Sequence, residues 1–100
     1  MPKVIIVGSG VAGLASAIRF SVKGYEVEVF ESNNHVGGKI SEIKKNGFRF
    51  DTGPSLFTMP ELIDDLIKLS EKNPRNYFQY SRLKESCRYF FDDKTIIHGY

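Results

Sequence analysis

The sequence predicts an α/β fold that opens with a parallel strand–helix–strand unit and continues into shorter, mixed β segments. Three observations predict it. Val4-Ile5-Ile6-Val7 is a run of β-branched residues, the composition of a strand buried on both faces. Gly8, Gly10 and Gly13 follow at the spacing G-x-G-x-x-G. A stretch of helical periodicity comes next, and then an alternating run that ends in an acid.

The glycines answer steric demands. Gly8 permits a tight turn, Gly10 lets a pyrophosphate approach the backbone, and Gly13 lets the helix pack close to the strand. The helix N-terminus adds unpaired N–H groups and a partial positive charge, which suit an anion. Gly8, Ser9, Gly10, Val11, Ala12 and Gly13 are therefore the candidate pyrophosphate turn. A glycine turn with no ligand is the competing reading, and the order of the elements that follow weighs against it.

From Val11 to Val22, the residues Val11, Leu14, Ala15, Ile18 and Val22 form one apolar stripe, with Gly13 and Ala17 a small-residue strip beside it. Arg19 and Lys23 suit the C-terminal end of the dipole, and Gly24 suits the C′ position. Tyr25 to Glu31 alternates like a strand. A right-handed crossover brings the C-terminal ends of parallel strands to the same edge, so Glu31 is expected near the glycine turn. There its carboxylate can accept hydrogen bonds from a ribose and would repel a 2′-phosphate. A solvated charge at a strand end is the alternative for this residue.

Composition narrows the classes. One hundred residues suffice for one small domain, and 41% hydrophobic with 26% charged residues is ordinary for a globular protein. A net charge of +2 is too small to argue for nucleic acid. No apolar run is long enough to span a membrane, and no signal peptide is read at the N-terminus. The single cysteine, Cys87, forbids an internal disulfide and reads as a small strand residue. One crossover is only the start of a doubly wound sheet, so the expectation is an incomplete N-terminal piece of a larger fold.

Ser32 to Lys39 reads as a loop. Gly37-Gly38 allows positive φ and close approach to a ligand, and Lys39 offers a cation to a phosphate. His35 has no second ligand at metal spacing, so no metal is assigned. Ile40–Lys44 and Gly47–Asp51 read as short strands about Asn46-Gly47, a strong turn dipeptide.

The run from Gly8 through Glu31 to Gly38 and Lys39 resembles the extended nucleotide motif of the FAD-dependent amine oxidase and carotenoid desaturase superfamily. That pattern is a glycine turn, an acid ending the second strand, five residues, then Gly-Gly and usually arginine. Here Lys39 stands at the last position, a point charge without arginine's fork. Phe50-Asp51-Thr52-Gly53-Pro54-Ser55 resembles the Phe-Asp-x-Gly-Pro segment of the phytoene desaturase-like branch. The resemblance spans residues 3 to about 70 and is strongest through Ser55. It implies a Rossmann-like FAD-binding unit, with Gly38 and Lys39 toward the pyrophosphate or flavin and Gly53, Pro54 and Ser55 on the flavin side. It also implies an FAD-dependent oxidoreductase that desaturates a hydrophobic polyene such as phytoene, in a cytoplasmic protein docking peripherally on membranes. The rivals are other superfamily flavoenzymes (an amine oxidase, a retinol saturase, a carotenoid isomerase) and a non-enzymatic binding protein like the prenyl-protein chaperones. No catalytic side chain is named.

Thr58 or Met59 is expected to start a helix with Pro60 in its first turn, ended by Asn73-Pro74. Leu62, Ile63, Leu66, Ile67 and Leu69 form its apolar face, and Asp64 and Asp65 read as solvated rather than catalytic. Strands are expected at Tyr77–Leu83, Cys87–Phe91 and Thr95–Tyr100, with a turn at Asp92-Asp93-Lys94. Their aromatics are expected to pack a sheet in preference to lining a substrate channel. Arg75, Arg82 and Arg88 read as solvated, and His98 as lacking a partner. The division expected is 1–72 for the start of the FAD-binding domain and 73–100 for the start of a substrate-side β region.

Overall fold

The computed structural model describes residues 1–100. Strand β1 (Lys3–Val7) and strand β2 (Glu26–Phe30) pair in parallel, with Val4 opposite Val27 and Ile6 opposite Val29. Helix α1 (Val11–Val22) joins them and lies on one face of the pair, at the bounds its periodicity predicts. Gly24 closes the helix at φ 89°, its N–H bonding the Ser21 carbonyl at 2.9 Å. Tyr25 then packs edge-on against Phe20, ring centroids 5.4 Å apart, which fixes the reversal into β2.

Within these residues only one of the two apolar faces of the first strand is covered. Val4 and Ile6 are half-buried, whereas Ile5 is 60% and Val7 87% exposed. A strand's side chains alternate between faces, and α1 covers one face only.

Strands β3 (Glu42–Lys45) and β4 (Phe48–Asp51) form an antiparallel hairpin, shorter at its outer end than expected. Asn46 and Gly47 both have positive φ, 51° and 79°, the type I′ geometry that Asn-Gly favours. Gly47 therefore belongs to the turn rather than to the strand.

Helix α2 (Pro60–Lys68) starts where expected, after Met59 in a left-handed conformation. It ends well before Asn73-Pro74. The Ser70 hydroxyl takes the Ile67 carbonyl at 2.7 Å and Glu71 turns left-handed at φ 59°, so the helix closes before proline can stop it. Pro74 instead opens a 3-10 turn, Pro74–Asn76, capped by the Asn73 side chain accepting from Arg75 N–H at 3.0 Å. Leu66, on α2, and Pro74, at the start of the 3-10 turn, are the two buried apolar residues.

Tyr77–Leu83 is not a strand, because no strand lies beside it to take its backbone hydrogen bonds. Its aromatics form a cluster. Phe57 meets Phe78 and Tyr80 edge-on at 5.7 and 5.8 Å, and the Arg75 guanidinium lies over Phe78 and Tyr80 at 4.9 and 4.5 Å. Asp64 anchors that cluster by pairing with Arg75 and accepting from the Tyr80 hydroxyl at 2.8 Å. Asp64 and Arg75 are thus partners across the fold rather than solvated charges, while Asp65 is solvated as expected.

Strands β5 (Cys87–Phe90) and β6 (Ile96–Gly99) form a second hairpin. Asp93 Oδ1 accepts the Thr95 N–H at 2.9 Å and Lys94 takes φ 68°, giving the expected turn. His98 and Arg88 are not free. Glu85 accepts from Arg88 Nε and pairs with His98 Nδ1, each at 2.7 Å. Those two bonds hold the Glu85 carboxyl at about 2, well below its usual range.

The strands remain three separate two-stranded sheets. An apolar groove of about 560 Å³ runs between α1, β2 and α2, with Ala17, Ile18, Val27, Val29, Ile67 and Tyr77 in its walls. No residue of the glycine turn lines it, so it is separate from the candidate site.

Candidate functional site

The three glycines of the first turn are glycine for three different reasons. Gly8 sits at φ 98°, a conformation that L side chains rarely adopt, while its N–H still extends the β1–β2 ladder to the Phe30 carbonyl at 2.7 Å. Gly13 faces the Gly8 carbonyl oxygen so closely that a Cβ would overlap it, so this glycine lets α1 lie against the turn. Gly10 is the helix N-cap at φ −70°, ψ −178°, an ordinary extended conformation. A Cβ there would meet nothing within 4 Å. Neither backbone nor packing demands glycine at position 10, and what its missing Cβ provides is room beside the helix N-terminus. That N-terminus carries no side-chain cap and no acid in its first turn, so its N–H groups are free of competing anions.

Glu31 lies one residue past β2 and reaches the glycine turn, as the crossover predicts. Its Oε1 accepts the Ser9 N–H at 3.0 Å and the Ser9 hydroxyl at 2.7 Å; its Oε2 accepts the Asn33 N–H at 3.1 Å. The Ser9 hydroxyl first, then the Ser9 and Asn33 amides, hold the carboxyl at about 2, so Glu31 is an anion at any ordinary pH. Ser9 is 1% exposed. The sequence placed Ser9 in the pyrophosphate turn on position alone; its hydroxyl turns to Glu31 instead. A hydroxyl residue between the first two glycines and an acid ending the next strand is the signal that could have found this contact.

The second glycine element packs directly on the first. Gly37 N–H bonds the Ser9 carbonyl at 2.8 Å, making an isolated parallel bridge between Gly10 and Gly37. Gly37 and Gly38 take φ 109° and 61°, and a Cβ on Gly38 would stand 3.2 Å from Gly10 Cα. Lys39 follows, exposed and without an ion pair. The third element joins next. Thr52 N–H bonds the Ser41 carbonyl at 3.0 Å, and Gly53 packs so tightly that a Cβ would overlap the Lys39 carbonyl. Gly8–Gly13, Glu31, Gly38, Lys39 and Gly53 therefore form one continuous assembly. Pro54 and Ser55 continue from it into exposed loop.

This arrangement offers backbone donors at a helix N-terminus, open space at Gly10, a fixed carboxylate at the end of β2 and one unpaired cation. Those groups suit an ADP-type dinucleotide: the amides for its pyrophosphate, the carboxylate for its ribose. No group of three or more His, Cys, Asp or Glu side chains is placed to hold a metal ion.

The chain is similar to several known proteins. The chain is 52% identical over 99 residues to the 1-hydroxycarotenoid 3,4-desaturase of Flavobacterium sp., covering 99% of this chain and 20% of that protein. It is 41% identical over 97 residues to the 4,4'-diaponeurosporene oxygenase of Staphylococcus aureus, covering 97% of this chain and 20% of that one. The chain thus spans about a fifth of the length of these curated relatives. A solved structure of an oxidoreductase from Methanosarcina mazei aligns with 53% of this chain and 13% of its own, at 40% identity and a TM-score of 0.48. Residues 6–68, from within β1 to the last residue of α2, match the model of one family, and the chain belongs to it: the NAD(P)-binding Rossmann-like domain family.

Proposed function

We propose that the protein carrying this chain is an FAD-dependent oxidoreductase that desaturates a carotenoid. The observation that carries the dinucleotide part is the open space at Gly10, beside an uncapped helix N-terminus and an anionic Glu31. A carboxylate that stays charged disfavours a 2′-phosphate, which supports an ADP-ribose with a free diol. The choice of FAD over NAD follows from the resemblance of the second and third glycine elements to the carotenoid desaturase motif; these elements pack together with the first turn at Gly38, Lys39 and Gly53. When bound, the flavin supplies the hydride-accepting chemistry. The chain's own residues supply the rest: amides toward the pyrophosphate, Glu31 toward the ribose, Lys39 as a cation, and Gly53 with Pro54 and Ser55 toward the flavin side.

The polyene substrate follows from the relatives' names, and phytoene is the specific member we propose. Desaturation is favoured over oxygenation because identity is 52% to the desaturase against 41% to the oxygenase. Following the resemblance, residues 1–72 are assigned to the start of the cofactor domain and 73–100 to the start of the substrate side. No helix is long and apolar enough to cross a membrane. As a separate part of the proposal, a lipid-borne substrate is met by peripheral contact from the cytoplasm.

The test is the absorption spectrum of the purified full-length protein, followed by product analysis with phytoene. Flavin bands and a product lacking two hydrogens are expected. A flavin-free protein refutes the cofactor, and a product that has gained oxygen refutes desaturation.

A further inference from the structure

We propose that Ser9 is a positioning residue for the cofactor ribose: it holds Glu31 Oε1 so that Oε2 alone receives a ribose hydroxyl. This rests on the dinucleotide reading above and goes beyond it, because it assigns Ser9 to the carboxylate and divides the two carboxylate oxygens between protein and ligand.

The argument is a count of lone pairs. Each carboxylate oxygen has about two acceptor sites. Both sites of Oε1 are taken from within the chain, by the Ser9 amide at 3.0 Å and the Ser9 hydroxyl at 2.7 Å. Both donors come from one residue that is 1% exposed, so solvent does not compete for them. At Oε2 only the Asn33 amide, at 3.1 Å, is a firm backbone donor. The Ser32 hydroxyl and the Asn33 side-chain amide stand at 3.4 and 3.5 Å on exposed side chains, which a ligand hydroxyl can displace. A donor from outside therefore finds acceptor capacity on Oε2 and none on Oε1.

The same two bonds set the direction of the carboxylate. Glu31 stands outside β2, and a glutamate side chain there has several rotamers of similar energy. Two charge-assisted bonds to the glycine turn select one of them before any ligand arrives. No charged side chain takes part. Glu31 makes no ion pair, His35 in the following loop bonds Asn34 and Ser41, and Lys39 is unpaired. Removing the Ser9 hydroxyl therefore removes the strongest single influence on both the orientation and the charge of Glu31.

The experiment compares Ser9→Ala, Glu31→Ala and the double variant in the full-length protein, by titrating the apo-protein with FAD from about pH 8 down to about pH 4. Ser9→Ala is expected to weaken FAD roughly tenfold, the scale of one hydrogen bond to a charged group. It should also make affinity fall as pH drops toward 4.5, the ordinary value for this carboxyl, while wild-type affinity stays flat there. In the Glu31→Ala background the Ser9 change should have no further effect, since a positioning residue acts only through its partner. If Ser9→Ala weakens binding equally in both backgrounds, with no change in the pH profile, Ser9 is merely structural and the proposal is overturned. If it leaves affinity unchanged while Glu31→Ala weakens it, the proposal is also overturned. Failure of wild type to bind FAD, or no effect of Glu31→Ala, would instead overturn the dinucleotide reading. Should Ser9→Ala not fold, Ser9→Cys, of similar volume with only a weak S–H donor, asks the same question.

Discussion

Replacing Gly10 by alanine separates what the glycine turn does for the fold from what it does for a ligand. At φ −70°, ψ −178° alanine is unstrained, and its methyl would meet no heavy atom within 4 Å. Alanine is a poorer N-cap than glycine by about 0.5–1 kcal/mol. Restricting the unfolded chain returns about 0.4–1 kcal/mol, so the net cost to the fold is close to zero. On the proposed reading, the methyl would stand where the pyrophosphate approaches. Overpacking of that kind costs about 1–3 kcal/mol, which corresponds to roughly 5- to 150-fold weaker FAD binding. Gly13→Ala should behave in the opposite way. Its gain in helix propensity is about 1 kcal/mol, but its Cβ would overlap the Gly8 carbonyl, and α1 would have to lift from the turn. The assay is thermal unfolding of the apo-protein beside FAD titration, for both variants. Gly10→Ala should melt like wild type and bind poorly; Gly13→Ala should melt lower. A Gly10→Ala protein with wild-type affinity would refute the reading of that open space as the ligand's approach.

Two further predictions concern Glu31. Glu31→Gln should keep the fold and weaken FAD about tenfold or more, because a hydrogen bond to a charged group contributes roughly 1.5–3 kcal/mol; unchanged affinity in an apo-protein titration would refute its role at the ribose. Acid should loosen the link between the glycine turn and β2: the native carboxyl is held at about 2 against an ordinary 4.5, so its stabilising effect is full above 4.5 and is lost as pH falls toward 2. Amide exchange at Ser9 should report it, and protection at Ser9 unchanged across that window would count against the bond.

What the sequence makes legible here is what neighbouring residues decide among themselves. The bounds of α1, its glycine stop, the Asn46-Gly47 turn and the Asp93 turn each depend on a few contiguous side chains and their φ preferences. The position of Glu31 was also readable, because crossover handedness converts chain order into proximity. Most of the failures depend on partners distant in sequence; the early end of α2 is the local exception, set by Ser70 and the left-handed Glu71. Asp64 looked solvated because its partner Arg75 and its donor Tyr80 lie 11 and 16 residues away. His98 looked isolated because Glu85 is 13 residues away across a hairpin. Tyr77–Leu83 has strand composition without a strand to pair with, and composition alone cannot supply the partner. Ser9 falls between these cases: its place in the turn was plain, while the direction of its hydroxyl depended on Glu31, 22 residues on.

The last prediction concerns these 100 residues expressed alone, and it follows from surface area. They expose 8621 Å², whereas a compact protein of 11.4 kDa exposes about 5,800 Å². Their radius of gyration is 18.2 Å against about 13 Å for a compact chain of this length. The excess area, roughly 2,800 Å², is on the scale of an obligate interface. It is apolar where it matters most: Ile5 and Val7 on the uncovered face of β1 are 60% and 87% exposed, and Phe90 on β5 is 71% exposed. The β1–β2 pair also leaves both outer edges unpaired. Such edges and faces recruit other chains when nothing covers them. The isolated residues should therefore associate, or stay loosely packed, and hold FAD weakly even though the turn itself can form locally. Light scattering gives the mass, amide exchange the protection of β1 and β2, and an FAD titration the affinity. A monodisperse monomer with both strands protected and sub-micromolar FAD binding would mean that α1 alone covers enough of the sheet, and that the argument from exposed area is wrong.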